Sequence, residues 1–210
     1  MVLMFLIAFA SNAQSVARGF KKGSVNLEYK PSPLFYTFNH QNTNKTESAG
    51  WLLVKVKYHT PSQKRGGNVI WIDDVDLEVE VVLPASYKGK NVNVLLKGTI
   101  PIWSIPMDGK VHEEWGCIPP QVIHRFARKG YKIDKQKILA RATFFTAGRK
   151  ILLRDFSTSN SRARKYFTKL TGSISSGVLT VNNIILPRTK TPWMAVNYER
   201  FELINPNSKK

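Results

Sequence analysis

The chain has 210 residues, of which 42% are hydrophobic and 11% aromatic, and its formal net charge at pH 7 is +18. That hydrophobic content excludes an intrinsically disordered chain and favours one globular domain, at most two. Cys117 is the single cysteine, so an internal disulfide is excluded and we expect a buried, hydrophobic side chain at this position.

The first residues, MVLMFLIAFASNAQS, contain an apolar run that ends in the small-residue sequence Ser11-Asn12-Ala13 before Gln14. This pattern is typical of the hydrophobic region and cleavage site of a secretory signal. We therefore predict a signal peptide over residues 1–13, with a strand of the core as the alternative. The run is too short to span a bilayer, and no later segment is long and apolar enough, so no transmembrane span is expected.

Alternation of apolar and polar residues predicts a mainly β structure, and strands at this spacing are typical of a β-sandwich. The six predicted strands cover residues 51–59, 69–83, 92–103, 138–147, 178–186 and 193–204. The predicted organisation places an N-terminal extension with a first strand in 14–49, the sandwich domain in 50–204 and a C-terminal tail in 205–210.

Turn residues predict how some of these strands are joined. TPSQKRGGN is expected to form a hairpin between the strand that begins at Trp51 and the strand that follows it. PRTKTP is expected to join the last two predicted strands as a second hairpin, and TAGRK around Gly148 predicts a third turn.

One short helix interrupts the β pattern. It begins in PPQVIHRFARKG, where Val122, Ile123 and Phe126 share one face and Gly130 ends the helix. Three-to-four spacing of apolar residues predicts a second, weaker helix over residues 161–170.

The strand WIDDVDLEVEVVLP carries a ladder of acids, because Asp74, Asp76, Glu78 and Glu80 share one parity and valines and a leucine share the other. One face of this strand is therefore predicted to be core and the other to be a row of carboxylates.

The preceding strand offers the complementary charges. If the two strands pair, Lys57 lies opposite Asp74 and Lys55 opposite Asp76, so we expect the ladder to fix the register of a hairpin. A metal site is disfavoured, because carboxylates spaced about 7 Å apart along one strand point in parallel rather than converge.

No catalytic constellation emerges from the sequence, so no catalytic, cofactor-binding or metal-binding residues and no small-molecule substrate are predicted. The four histidines are scattered, and HEEWG lacks the second histidine of a helical zinc motif. The nucleophile-elbow, phosphate-loop and dinucleotide-binding motifs are also missing from the sequence. Cys117 with a distant histidine is a very weak nucleophile signal, and a hydrolase remains only a minor alternative.

Positive charge is concentrated in residues 125–170, which contain fourteen Lys and Arg against two Asp, a net charge of +12. Such a region attracts polyanions, although a basic surface kept for solubility is an equal alternative. The predicted anion-binding or partner-binding surface consists of Arg125, Arg128, Lys129, Arg162, Arg164, Lys165 and Lys169.

The order of these segments resembles a known family. The strand that begins at Trp51, then WIDDVDLEVEVVLP, VNVLLKGTIPIWSIPMDGKVH, PPQVIHRFARKG and TPWMAVNYERFELI are similar to exported, immunoglobulin-like proteins encoded beside type IV pilus-like genes in certain Gram-negative bacteria. The resemblance covers about residues 51–204 and rests on aromatic, acidic and proline landmarks.

The resemblance implies an immunoglobulin-like sandwich located in the periplasm, in the outer membrane or on the cell surface, with a structural role and no cofactor. The implied partners are other envelope or pilus-like proteins, with anionic glycans or lipid head groups as further candidates. A true pilin would need a long N-terminal apolar helix, so the resemblance implies an accessory protein. A basic module that binds an anionic glycan or nucleic acid is the alternative.

Overall fold

The computed structural model describes residues 20, 22–31, 50–87, 90–126, 134–146, 151–158, 165, 167 and 178–193. The strands in these residues are β1 (Gly23–Lys30), β2 (Trp51–His59), β3 (Lys64–Arg65), β4 (Asn68–Val69), β5 (Trp71–Tyr87), β6 (Lys90–Pro106), β7 (Val111–Ile118), β8 (Leu139–Thr146), β9 (Ile151–Ser157), β10 (Val178–Val181) and β11 (Leu186–Pro187). Helix α1 (Pro120–Phe126) follows β7, and single 3-10 turns occupy Lys135–Lys137 and Arg188–Lys190.

The strands form two main sheets, so the predicted β-sandwich is confirmed. A four-stranded sheet has the order β1-β2-β7-β11, and a five-stranded sheet has the order β10-β6-β5-β8-β9. The short strands β3 and β4 pair only with each other among the described residues.

The main core lies between the two sheets. Val54 and Val56 of β2 and Leu77 and Val79 of β5 are fully buried in one cluster, as the alternation in both strands predicts. Phe126 of α1 is buried in the same cluster, which confirms the short helix and its apolar face. Burial of this apolar face, more than helix propensity, holds so short a helix in place.

The segment that includes β10 and β11 crosses from one sheet to the other. β10 pairs in parallel with β6, whereas β11 pairs antiparallel with β7. The prediction of one continuous strand over 178–186 is therefore wrong. Asn183, whose φ of 56° lies in the left-handed region, interrupts the strand and lets the chain change sheets.

The predicted hairpin between β2 and β5 is also wrong. β2 pairs with β1 and β7, and β5 pairs with β6 and β8, so TPSQKRGGN connects the two sheets instead of two paired strands. Within it, β3 and β4 form a small hairpin around Gly66 and Gly67, which both have positive φ and suit the tight turn.

The lysines of β2 consequently have different partners from those predicted. Lys55 forms an ion pair with Glu28 of β1, and the Lys57 Nζ lies 3.2 Å from a carboxylate oxygen of Glu113 in β7. The charge complement of β2 therefore lies within its own sheet.

Besides the two-residue strand β3, the strands β7 and β9 were not predicted. In β7 the segment VHEEWGCI lacks a clean alternation because Glu114 is buried on the core side with an exposed fraction of zero. The antiparallel pairing of β8 with β9 agrees with the predicted turn at TAGRK. Lys165 and Phe167 are helical, whereas the rest of the predicted second helix and the last predicted strand beyond Trp193 lie outside the described residues.

Candidate interaction surfaces

The carboxylate ladder lies on the outer face of the five-stranded sheet, as predicted. Val75, Leu77 and Val79 of β5 are buried toward the core, whereas the intervening acids are exposed or partly exposed. Asp74 has a φ of 52°, a conformation that aspartate tolerates better than most residues.

Glu80, one acid of the ladder, is neutralised by cations of the sheet itself. Its carboxylate accepts hydrogen bonds from Arg141 Nε at 2.8 Å and Nη2 at 2.5 Å, and it lies 2.8 Å from Lys97 Nζ. Arg141 comes from β8 and Lys97 from β6, and each is the direct cross-strand neighbour of Glu80. The predicted pairing of the ladder with the lysines of β2 is therefore wrong, and Glu80 instead joins β5 to β6 and β8 by cross-strand ion pairs.

Burial alone would raise the pKa of Glu80, but the hydrogen bonds and charges of Lys97 and Arg141 lower the pKa overall. The carboxylate is therefore held in its charged form, which excludes it as a general acid near neutral pH.

A helical segment packs on the outer face beside this network. Phe167 is buried against Val82 and Leu95, and the Arg141 guanidinium carbon lies 4.8 Å from the centre of the Phe167 ring. Phe167 is thus packed against the sheet, while Lys165 two residues earlier is exposed.

The predicted basic surface is described at two of its seven positions. Arg125 at the end of α1 and Lys165 are both exposed, as a binding surface requires. The other five residues lie outside the described residues, so the surface as a whole stays a prediction. They are Arg128, Lys129, Arg162, Arg164 and Lys169.

The outer face of the four-stranded sheet carries a second apolar cluster that the sequence analysis missed. Trp51, Leu53, Trp115, Cys117 and Trp193 are buried together. The signal was present in the alternation of β2, in which residues of both parities are apolar at the start of the strand.

Lysines cover this cluster. Lys55 Nζ lies 4.8 Å from the centre of the Trp115 ring, and Lys30 Nζ lies 5.8 Å from the Trp115 and Trp193 rings. Glu28 forms ion pairs with both lysines. Lysine is thus held between tryptophan and carboxylate, a combination of cation–π and ionic attraction.

Cys117 is unsuited to nucleophilic chemistry. Its side chain is fully buried, and burial raises the pKa of the thiol to about 12, although Thr191 and Arg188 act in the opposite direction. Since the thiolate is the reactive species, the predicted role as a buried hydrophobic residue agrees with the structure.

Thr60, Asp108 and His112 meet where β6 turns into β7. The carboxylate of Asp108 accepts a hydrogen bond from the Thr60 hydroxyl at 3.1 Å and lies 2.9 Å from His112 Nε2. Because the hydroxyl donates to the carboxylate and not to the histidine, the order of a nucleophile, base and orienting acid is not reproduced. These hydrogen bonds are better explained as stabilising the loop between β6 and β7.

The described residues contain no group of three or more His, Cys, Asp or Glu side chains that could hold a metal ion. None of the helices in the described ranges has the length and apolar content needed to cross a membrane.

Two tryptophans were not singled out by the sequence analysis. Trp71 and Trp103 are 54% and 50% exposed, whereas the other three tryptophans of the chain are buried. Their alternation with buried isoleucines, Ile72 after Trp71 and Ile102 before Trp103, was the available signal.

No curated protein matches the chain in sequence. Among solved structures, a crystal structure of a protein from Akkermansia muciniphila is similar, with a TM-score of 0.63 and 15% identity over 89% of this chain and 95% of the other. At that identity the likeness supports the fold alone. A family model matches residues 11–208, nearly the whole length of the chain. The chain therefore belongs to this family of bacterial pilus-associated proteins.

Proposed function

We propose that the chain is an exported, non-enzymatic structural protein of the bacterial envelope, accessory to a type IV pilus-like or outer-membrane assembly. The family match over residues 11–208 is the observation that carries the proposal. In this view residues 1–13 are removed on export, and an immunoglobulin-like domain over 50–204 presents surfaces to other envelope proteins.

The described surfaces are compatible with a scaffold. The carboxylate of Glu80 is ion-paired, the thiol of Cys117 is buried, and the Asp108 cluster fastens a loop. Such groups stabilise a rigid body and leave its outer surfaces available for docking.

The test of this proposal is the fate of the chain in its native host. Amino-terminal sequencing of the protein from envelope fractions is expected to find a start at or near Gln14, and pilus-like subunits are expected to copurify after cross-linking. A cytoplasmic enzyme followed through the same fractions serves as the control. Recovery of the intact chain with Met1 from the cytoplasm would contradict the proposal.

A second candidate function is the binding of an anionic glycan, lipid head group or nucleic acid. The charge of +12 in residues 125–170 favours it, because contacts to phosphate or sulfate release counterions and depend steeply on salt. The test is binding to heparin and to DNA at low and high salt.

The variant for this test replaces Arg162, Arg164 and Lys165 with alanine. The matched control replaces Lys64, Arg65 and Lys110, three exposed cations outside the basic region. We expect the first variant to bind more weakly and with a shallower salt dependence, and the control to bind like wild type. Equal loss in both variants would mean that only total charge matters and that the basic surface is not a site.

A further inference from the structure

The exposed tryptophans lie together at one end of the β5–β6 ribbon. Asp73 pairs with Ser104 and Val75 with Ile102, so Trp103 lies opposite Asp74. Trp71 lies two residues before Asp73. We call the surface formed by Trp71, Asp73, Asp74 and Trp103 the Trp–Asp face.

All four side chains are exposed. Ile72 of β5 and its partner Ile105 of β6 are buried in the core, so Trp71 and Asp73 lie on the outer face, and the positive φ of Asp74 breaks the alternation before Val75 is buried. The hydroxyl of Ser104 donates a hydrogen bond to Asp73, which places both of these side chains on that outer face.

On the edge of β5 away from β6, the described residues contain no strand paired with Trp71, Asp73 or Asp74, because β8 pairs with β5 only from Val75 onward. Asp73 and Asp74 are exposed and form no ion pair within the described part of the chain. Exposed tryptophan on an uncovered sheet face is typical of a docking surface, and the adjacent carboxylates select a cationic partner.

A contact elsewhere in the chain shows that a lysine side chain can bind between an indole ring and a carboxylate. On the opposite sheet Lys55 lies over Trp115 and pairs with Glu28, so lysine is accommodated between an indole ring and a carboxylate. The Trp–Asp face offers the same two groups, and none of the lysines that the structure describes forms an ion pair with its carboxylates. Lys64 and Arg65 lie nearby in the β3–β4 hairpin, but neither pairs with Asp73 or Asp74.

Exposed cations lie at the other end of the sandwich. Lys135 and Lys137 directly precede β8, whose first residue pairs with Val82, eleven residues along β5 from Trp71. At 3.3 Å per residue this separation is about 36 Å. Arg125 is at the same end, because α1 follows Ile118, which pairs with Leu52 at the start of β2. We call Arg125, Lys135 and Lys137 the cationic end.

We propose that the Trp–Asp face docks the cationic end of a second copy of this chain. The two surfaces are complementary in charge and lie about one domain length apart, so they cannot contact each other within one copy. A contact between two different patches that does not close on itself produces linear head-to-tail chains. The proposal is separate from the proposed function, which would survive if the protein proved monomeric.

Two variants test the contact from its two sides. D73K/D74K reverses the charge of the Trp–Asp face, and K135E/K137E reverses the charge of the cationic end. Sedimentation velocity at low salt is expected to show concentration-dependent assembly of the wild type and at least tenfold weaker assembly of each variant alone. The control D155N removes an exposed acid of β9 and is expected to assemble like wild type.

Mixing the two variants gives the decisive measurement. Each variant has two surfaces of like charge, and the charges of the two variants are opposite, so the mixture is expected to assemble although neither variant does so alone, which also shows that both variants are folded. Carbodiimide cross-linking of mixed isotope-labelled and unlabelled wild type is expected to join Asp73 or Asp74 of one copy to Lys135 or Lys137 of another. A wild type that stays monomeric at several hundred micromolar would overturn the proposal, and so would variants that assemble unchanged.

Discussion

Replacement of Glu80 by glutamine is the substitution whose effect the structure defines best. Arg141 donates two hydrogen bonds to one oxygen of the carboxylate, and Lys97 approaches the other. Hydrogen bonds to charged groups contribute about 1.5 to 3 kcal/mol, and an exposed ion pair about 0.5 kcal/mol. The side chain of Lys97 is 42% exposed, compared with 23% for Arg141, so most of the effect comes from Arg141.

Glutamine keeps one acceptor oxygen but loses the charge. We therefore expect E80Q to lower the free energy of unfolding by about 2 kcal/mol, which in a domain of this size lowers the melting temperature by about 4–8 °C. The measurement is urea denaturation at pH 7 and physiological salt. The control is D76N, because Asp76 belongs to the same ladder without an ion pair among the described residues and is expected to change stability by less than about 0.5 kcal/mol.

The pH dependence gives an independent check on this reasoning. The folded-state pKa of Glu80 is lowered from its ordinary value of 4.5, so the stabilisation is fully present above that pH. It is lost as the pH falls through the lower folded pKa. The difference in stability between wild type and E80Q should therefore shrink in acid. If E80Q were no less stable than D76N at pH 7, the assignment of the Arg141 and Lys97 contacts as stabilising would be wrong.

Three further substitutions test other parts of the fold. K55E is expected to cost about 1–2 kcal/mol in thermal melts because it faces Glu28, and E28K in the same chain should recover part of the loss; equal melting temperatures would refute the observed β1–β2 register. G98A is expected to destabilise by about 2 kcal/mol or more in urea denaturation, because its Cβ would overlap the backbone carbonyl of Ile185. Cys117 in the native protein is expected to resist maleimide at pH 8 and to react after unfolding, since the buried thiol has a pKa of about 12; rapid labelling of the folded protein would contradict its burial.

Local alternation predicted the strands whose two faces differ clearly in polarity. β2 was predicted with its observed bounds, and β5 was predicted with the correct buried face, because lysines and acids mark the outer parity in each. β7 was missed because both faces of this strand are covered. Trp115 is buried on the outer side and Glu114 on the core side, so the alternation that reveals a half-exposed strand is absent.

Strand pairing was not predictable from charge complementarity alone. Lys55 finds a carboxylate in Glu28 as readily as it would in Asp76, and both arrangements keep the core valines inward. The length of TPSQKRGGN allowed either a hairpin or a crossing between sheets, and contacts distant in sequence decided between them. The predicted basic surface depended even more on tertiary structure. The number of Lys and Arg residues in 125–170 does not tell which of them lie on the same face of the folded protein.

The pairing of β5 within the sandwich decides which of its carboxylates are neutralised. Had β5 paired with β2, Lys55 and Lys57 would have neutralised its carboxylates, and these would not be available to a partner. Those lysines are neutralised inside their own sheet, and Glu80 of β5 is instead neutralised by cations of β6 and β8. The acids toward Trp71 are left facing solvent in a chain of net charge +18. On so basic a protein, an acidic surface that bears tryptophan attracts the cationic end of another copy, whereas the basic remainder of the surface repels it. This difference in charge sets the orientation of the proposed head-to-tail contact.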